Sequence, residues 1–165
     1  MEKLILLLLI PILSVGQIIK EGSRQIHLDF HTSGLIENIG ENFSKEQFKK
    51  ALKIGNVSSI NIFGKGHHGY SYYNTKIGTR HPHLKFDLLK EQIEACHEMG
   101  VTAQVYFTVG WSQKDADDHP EWILKDKNGT TNKLEILKKL GSNDRLPNFT
   151  WRLLAPSNGY DEFIL

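Results

Sequence analysis

The sequence SSINIFGKGHHGYSYYNTKIGTRHPH, residues 58–83, contains a short apolar run followed by a dense cluster of polar and aromatic side chains. The apolar run, residues 57–63, is rich in β-branched side chains and bounded by glycines, which is typical of a strand buried on both faces. In α/β proteins, ligands bind at the carboxyl ends of parallel strands. The stretch therefore predicts a buried parallel strand with a ligand site at its end.

The segment after this strand is longer and richer in rings than a connection needs. A βα loop usually has about 2–6 residues, and this segment is several times longer. Tyrosine rings have flat apolar faces, and neutral imidazoles both donate and accept hydrogen bonds. A sugar combines an apolar C–H face with a rim of hydroxyls, so the composition favours a carbohydrate site. The ring and cationic side chains here are Lys65, His67, His68, Tyr70, Tyr72, Tyr73, Lys76, Arg80, His81 and His83.

Length and composition predict a single globular domain. The 165 residues are 39% hydrophobic and 24% charged, which leaves enough apolar material for a core. The net charge of +1 gives no electrostatic reason to expect nucleic acid or an anionic membrane surface as a partner. The single cysteine, Cys96, excludes an intramolecular disulfide, and its helical surroundings predict a buried, unreactive thiol.

Residues 1–16, MEKLILLLLIPILSVG, predict a secretory signal peptide. One lysine precedes an apolar run, and small residues follow it. The run is shorter than the roughly 20 residues that a membrane helix needs. We therefore expect a mature domain over residues 17–165, a secreted or periplasmic location, and no membrane association after cleavage. A buried N-terminal helix is the alternative.

The periodicity of apolar residues predicts an α/β fold with three parallel strands. Strands are expected at residues 24–30, 57–63 and 101–109. The capping box at Ser44 starts a helix that ends at Gly55, and a second helix covers 86–99. The β-α-β-α-β order predicts parallel strands with crossover connections. Beyond them we expect a small hairpin around Asn128–Gly129, a short helix at 134–140 and a helix start at 160–165.

The end of the second strand resembles a known family. Lys65-Gly-His67-His68-Gly-Tyr70, with Tyr73, Lys76 and Arg80-His-Pro82 downstream, is similar to the hypothetical glycosyl hydrolase 6 family of α-amylase-like TIM-barrel proteins. It is more distantly similar to α-L-fucosidases, which carry a Lys-His-His-Asp-Gly-Phe signature. The resemblance extends to Asp29-Phe-His31, to Tyr106 with Trp111, and to His119-Pro-Glu-Trp122. It implies the first three βα units of a (β/α)8 barrel and a hydrolase that acts on a glycan without a cofactor.

The same resemblance implies roles for individual residues. In the fucosidases, the paired histidines and a histidine after the first strand contact the sugar hydroxyls, which assigns that role to His67, His68 and His31. The catalytic nucleophile of those enzymes is an Asp at the end of the fourth strand, and no residue of this chain matches it. Asp29 is the one carboxylate that we place as a catalytic candidate. The further predicted substrate contacts are Lys65, Tyr70, Tyr73 and Trp111.

Two other functions stay open. One is a metal-dependent hydrolase, although neighbouring imidazoles at a strand end tend to point apart. The other is a glycan-binding protein without catalysis, because a glycosidase needs two carboxyl groups and the acids after the third strand are expected to be solvated. Those acids are Asp115, Asp117, Asp118 and Glu121, and the candidate metal ligands are Asp29, His31, His67, His68, His81 and His83.

The chain is short for the fold that it resembles. A TIM barrel needs roughly 200 residues or more, and this sequence has 165. We therefore expect a truncated or split product that stops before a fourth strand. Its open sheet edge invites self-association.

Overall fold

The computed structural model describes residues 23–125, 127–129, 152–156 and 158–164. The predicted signal peptide and the predicted helix at 134–140 lie outside these residues. The strands are β1 Gln25–His27, β2 Ser59–Lys65, β3 Tyr70–Ser71, β4 Thr79–Arg80 and β5 Thr102–Phe107. The helices are α1 Lys45–Ile54, α2 Leu88–Glu98, α3 Gln113–Asp118, a 3-10 turn at Pro120–Trp122 and α4 Asn158–Ile164. No helix in this described part of the chain has the length and apolarity needed to cross a bilayer.

The strands form one mixed sheet in which β2 is central. Both β1 and β5 pair with β2 in parallel, with Ile60 opposite Ile26 on one side and Ala103 on the other. The parallel arrangement predicted for these three strands is confirmed. The short strands β3 and β4 were not predicted, and β3 runs antiparallel to β2. The chain reverses between β2 and β3 at Gly69, whose φ of +89° favours glycine.

An irregularity in β2 moves Lys65 to the other face of the sheet. Phe63 lies opposite Tyr106 of β5, but Lys65 lies opposite Phe107. Because side chains alternate along a strand, one extra residue carries those after it to the opposite face. The extra residue is Gly64, where an added Cβ would stand 3.0 Å from the Val105 side chain. We call this feature the Gly64 bulge.

Helix α1 begins after Ser44 as predicted, and α2 begins at Leu88, two residues later than predicted. Ser44 caps α1 by accepting a hydrogen bond from the Gln47 N–H. Phe43 packs on Phe48 across the start of α1, with ring centroids 5.8 Å apart, which is a hydrophobic staple. Asp87 caps α2 in the same way as Ser44 caps α1. These local contacts set the points at which both helices cross back over the sheet.

Apolar side chains are buried on both faces of the sheet. On one face, α1 and α2 pack against Ile60 and Ile62, and Cys96 is buried there as predicted. On the other face, Phe63 and Tyr72 are buried with leucines that flank the start of α2. A separate cluster around Trp122 holds α3, the 3-10 turn and α4 together.

Beyond α3 the chain pairs with a distant segment. Trp111 bridges Leu153, and Ile123 bridges Leu154, both in antiparallel fashion. We predicted that Ile123 and Leu124 belong to a local hairpin around Asn128–Gly129. In the described residues, the Leu124 N–H donates to the Leu153 carbonyl, and Ile123 is buried in the Trp122 cluster with Leu154. The second arm of the predicted hairpin follows Gly129 and lies outside the described residues.

Candidate functional site

Three imidazoles lie together at the carboxyl ends of β1 and β2. The ring centroids of His31 and His67 are 4.1 Å apart, and those of His67 and His68 are 4.5 Å apart. We expected the adjacent histidines to point apart, and this is wrong. A turn closed by the Gly69 N–H on the Gly66 carbonyl replaces extended backbone at this point. The two neighbouring rings therefore lie side by side, tilted by 36°.

The orientation of His31 is set by hydrogen bonds at both ring nitrogens. Its Nδ1 accepts from the His67 backbone N–H at 3.0 Å. Its Nε2 lies 3.2 Å from Asp29 Oδ1. Because Nδ1 accepts, the neutral ring carries its proton on Nε2 and donates it to Asp29. His31 therefore connects the turn after β2 to the exposed candidate carboxylate after β1.

Burial favours the neutral form of these imidazoles. Burial, followed by the neighbouring His31 and His68, lowers the pKa of His67 to about 4. Burial also lowers the pKa of His31, against the Asp29 carboxylate, which raises it. For His68, burial and then His31 lower the pKa. Neutral rings both donate and accept hydrogen bonds, which is what the recognition of hydroxyl groups requires.

We expect the fold to lose stability as the pH falls from about 6.5 to about 4. His67 takes up its proton near pH 6.5 in the unfolded chain but only near 4 in the folded one. Between these values the unfolded state binds more protons, so acid favours it. Urea titrations at several pH values measure this slope. His67→Gln should make it shallower, whereas the exposed His97→Gln should not, and equal slopes for parent and H67Q would refute the assignment.

The turn after β2 is packed closely onto the loop after β1. A Cβ added at Gly66 would lie 2.9 Å from His31 Nδ1 and 3.3 Å from the Phe30 carbonyl oxygen. Beside it, the Tyr72 hydroxyl accepts from the Thr32 N–H at 2.9 Å and lies 2.8 Å from the Thr32 hydroxyl. Only a glycine leaves room for this approach, which brings the histidines of the two strand ends together. Thr32 and Tyr72 were not among the predicted site residues.

Helix α3 lies against the backbone of the histidine pair. The Gln113 N–H donates to the His67 carbonyl at 3.0 Å, and the Lys114 N–H donates to the His68 carbonyl at 3.1 Å. The first N–H groups of a helix have no partner within it, so these carbonyls satisfy two of them. Ser112 caps α3 by accepting from the Asp115 N–H. The Ser-x-x-Asp spacing of residues 112–115 is a capping signature that would have predicted this helix.

Lys65 and Asp115 form a buried ion pair. Lys65 Nζ lies 2.5 Å from Asp115 Oδ2, and the side chains are 2% and 3% exposed. The ammonium also lies over the rings of Phe107 and Phe163. The prediction that Asp115 is solvated is wrong, whereas Asp117, Asp118 and Glu121 are exposed as predicted. Lys65, a predicted substrate contact, is enclosed here because the Gly64 bulge turns it away from Phe63.

The remaining predicted contacts lie apart from one another. Tyr70 covers Gly34 and meets His81 edge-on, with centroids 5.3 Å apart. Tyr73 is half-buried against the cluster of α1 and α2, on the opposite face from Phe63. Trp111 follows β5 with 41% of its surface exposed. The structure thus brings together His31, His67 and His68, with Asp29 beside them, but not Lys65 or Tyr73.

The candidate metal ligands, as the described residues place them, are not arranged around one point that could hold an ion. His81 Nε2 lies 3.0 Å from the Ser33 carbonyl, and its Nδ1 accepts from the His83 N–H. Both ring nitrogens of His31 are also engaged, as described above. In the ranges that the structure describes, no group of three or more His, Cys, Asp or Glu side chains is arranged to hold a metal ion. The metal hypothesis therefore has no ligand set in these ranges.

Two cavities lie near the ends of β2 and β5. One of about 230 Å³ lies at the end of β5, where Tyr106, Thr108 and Trp111 line it. A larger one, about 450 Å³, lies between the 71–77 loop and α4, with Lys65 and Phe107 in its wall. Neither wall, as the described residues form it, includes the imidazoles of His67 and His68. The larger cavity belongs to the face to which the Gly64 bulge turns Lys65.

Solved structures show what this fold is similar to. The α-L-fucosidase isoenzyme 2 from Paenibacillus thiaminolyticus is 38% identical over 86% of this chain, with a TM-score of 0.72. This chain covers 20% of that enzyme's length. A hypothetical protein from Ruminiclostridium thermocellum is 18% identical over 79% of this chain and 62% of its own, with a TM-score of 0.49. The likeness to the fucosidase shows that the fold, a mixed α/β sheet with mostly parallel strands, is similar to that of a glycosidase.

Comparison of the sequence with known families identifies the family of glycosidase-like proteins to which the chain belongs. Residues 44–165 match the hypothetical glycosyl hydrolase 6 family, and the chain belongs to that family. The resemblance predicted from the Lys65–Tyr70 stretch is thereby confirmed. No curated protein matches the chain.

Proposed function

We propose that this chain forms the first three βα units of a glycoside-hydrolase barrel and contributes side chains that bind the sugar. The observation that carries the proposal is the cluster of three imidazoles, spaced 4.1 and 4.5 Å, at the carboxyl ends of two adjacent parallel strands. Family membership and the likeness to a fucosidase support a carbohydrate ligand. The order β1, β2, β5 in both chain and sheet supports the barrel, since sequential strands are neighbours there.

The histidines divide the recognition of hydroxyls between them. His31 is committed at both nitrogens, so we assign it to orienting Asp29, whose side chain is 68% exposed. Asp29 then accepts a hydrogen bond from the sugar. His67 and His68, with their neutral rings, supply donors and acceptors for further hydroxyls. Trp111 offers an exposed ring on which the apolar face of the sugar can pack.

Catalysis needs a carboxylate beyond Asp29. Glycosidases use two carboxyl groups, about 5–5.5 Å apart for retention and about 6.5–9.5 Å for inversion. Among the acids after β5, Asp115 is bound to Lys65 and Asp118 to Lys114. These two acids therefore do not supply the second group. We propose sugar binding as the role of the described residues, with Asp29 as a candidate for the chemistry.

We expect L-fucose to bind at the histidines and their removal to weaken it. His67→Ala or His68→Ala should each raise the Kd about threefold to tenfold, because a hydrogen bond contributes about 0.5–1.5 kcal/mol. An NMR titration with L-fucose, and with D-glucose as a comparison sugar, measures the Kd. His97→Ala, an exposed histidine at the end of α2, is the matched control. Unchanged affinity in both site variants would place the site elsewhere.

Hydrolysis of an aryl α-L-fucoside separates an enzyme from a binding protein. If the chain binds the sugar but releases no aryl alcohol, the non-catalytic alternative holds for this polypeptide. Turnover that Asp29→Asn abolishes without loss of binding would instead assign the chemistry to Asp29.

We further propose that the chain leaves the cytoplasm and associates through its sheet edges. The apolar run and small residues of 1–16 support export, and N-terminal sequencing of the secreted or periplasmic protein tests for cleavage after Gly16.

At the sheet edges, Ile26 of β1 is 43% exposed and Val105 of β5 is 47% exposed. Exposed apolar edge strands favour pairing with another chain. Sedimentation velocity of the parent and Val105→Lys tests the association.

A further inference from the structure

We propose that α3 and the Lys65–Asp115 ion pair hold the histidine pair in position. Lys65 and Asp115 act as positioning residues through their side chains, and Gln113 does so through its backbone N–H. The inference rests on the proposed function, because the histidines are its sugar-contacting groups. Lys65 was predicted to touch substrate. At 2% exposure, its ammonium pairs with Asp115 and lies over the two phenylalanine rings described above.

Two short segments, residues 65–68 and 112–115, are joined at successive points. Lys65 is bound to Asp115 through its side chain. Two residues further along, the His67 carbonyl accepts from the Gln113 N–H, and the His68 carbonyl accepts from the Lys114 N–H. The ion pair and the two backbone hydrogen bonds therefore join the two segments at three points. His67 and His68 cannot shift without moving the first turn of α3.

The two segments also pack without space between them. A Cβ added at Gly69 would lie 2.7 Å from Lys114 Cβ and 2.9 Å from the Lys114 backbone nitrogen. The Lys65 carbonyl accepts from the Thr108 N–H, which ties the same segment to the end of β5. The turn that carries the imidazoles is thus held from both sides, by β5 and by α3. A buried charge pair with one good geometry suits such a role, because alternative positions leave a charge uncompensated.

The position of the turn sets how the rings meet. The His67 N–H must stay 3.0 Å from His31 Nδ1 for the two imidazoles to keep their contact, with centroids 4.1 Å apart. Displacing the His67 carbonyl rotates the peptide groups on either side of this residue. We therefore expect a loosened α3 to separate His67 from His31 and to expose its ring. A raised pKa of His67 reports this movement, because burial is the largest cause of its lowering.

The test removes the backbone N–H of Gln113, which donates to the His67 carbonyl. Gln113 is the first residue of α3, where proline is favoured, and Ser112 before it is extended, with φ −158° and ψ 113°, as a residue before proline should be. Gln113→Pro therefore keeps the helix but removes the donor to the His67 carbonyl. Gln113→Ala keeps that backbone donor and removes the side chain, with its bond to Asp117, so it is the matched control.

NMR titration of the His67 imidazole and the Kd for L-fucose are the two readouts. We expect Gln113→Pro to raise the His67 pKa from about 4 toward 6.5 by about one unit or more and to weaken binding about threefold or more. Gln113→Ala should behave as the parent. If Gln113→Pro titrates and binds as the parent does, the inference is overturned.

A second variant tests the ion pair separately from the backbone hydrogen bonds. Asp115→Asn keeps the shape of the side chain and removes its charge, and it should shift the His67 titration in the same direction. Circular dichroism shows whether each variant is folded. A folded Asp115→Asn with an unchanged His67 pKa also overturns the inference. If the parent binds no fucose, the proposed function fails, but the imidazole titration still decides whether α3 positions His67.

Discussion

Replacing either Lys65 or Asp115 by alanine is expected to lower the free energy of unfolding by about 3–5 kcal/mol. The side chains are 2% and 3% exposed, so each single change leaves a buried charge without its partner. Small domains unfold with only about 5–15 kcal/mol, so either variant loses a large part of its stability. Urea titration followed by circular dichroism measures the change.

Two comparisons isolate the buried charge as the cause. The double change of Lys65→Met with Asp115→Leu replaces the pair by apolar side chains of similar size, and it should recover most of the lost stability. Lys90→Ala removes a partner from the exposed Lys90–Glu94 pair of α2. Solvent screens that pair, so its loss should have little effect. If Lys65→Ala costs no more than Lys90→Ala, the ion pair does not stabilise the fold.

Gly69→Ala is expected to cost about 2–5 kcal/mol, the sum of two effects. Left-handed backbone costs an L-residue about 1–2 kcal/mol, and the φ of Gly69 is +89°. Overpacking adds about 1–3 kcal/mol, because the new methyl group meets the Lys114 backbone nitrogen at 2.9 Å. The collision lies between the histidine turn and α3, so fucose binding should fall together with stability.

Gly100→Ala is the matched control for this effect. Gly100 also has a left-handed backbone, with φ of +66°, but an added Cβ there has no atom within 4 Å. This variant should therefore lose only the backbone term, about 1–2 kcal/mol, and keep its sugar affinity. Equal losses at both glycines would mean that the contact between the turn and α3 is not tight.

Much of the architecture was predictable because its signals are local. Ser44 and Asp87 cap the helices that they precede, and the run at 57–63 forms the buried central strand. Each of these signals is a pattern of residues that are close together in the sequence. It can therefore be recognised without knowledge of the tertiary contacts. The strands β3 and β4 escaped prediction because two residues are too few to show an alternating pattern.

The candidate site was predictable in its residue types but not in its arrangement. That His31, His67 and His68 gather at strand ends follows from the parallel order of β1 and β2. The close contact of their rings depends on the turn that Gly69 closes on Gly66, and on the room that Gly66 leaves for His31. These contacts join residues that are far apart in the chain or that have an unusual backbone conformation. The periodicity of the sequence does not indicate either feature.

The sequence by itself determined the strand order, the helix starts and the placement of histidines at the carboxyl ends of β1 and β2. Only the tertiary structure decided which face Lys65 occupies and that Asp115 is its partner. The physical reason is the Gly64 bulge, since one residue out of register turns a strand's side chain to the opposite face. A buried ammonium must then find a carboxylate, and the one that reaches it comes from a helix that follows the next strand.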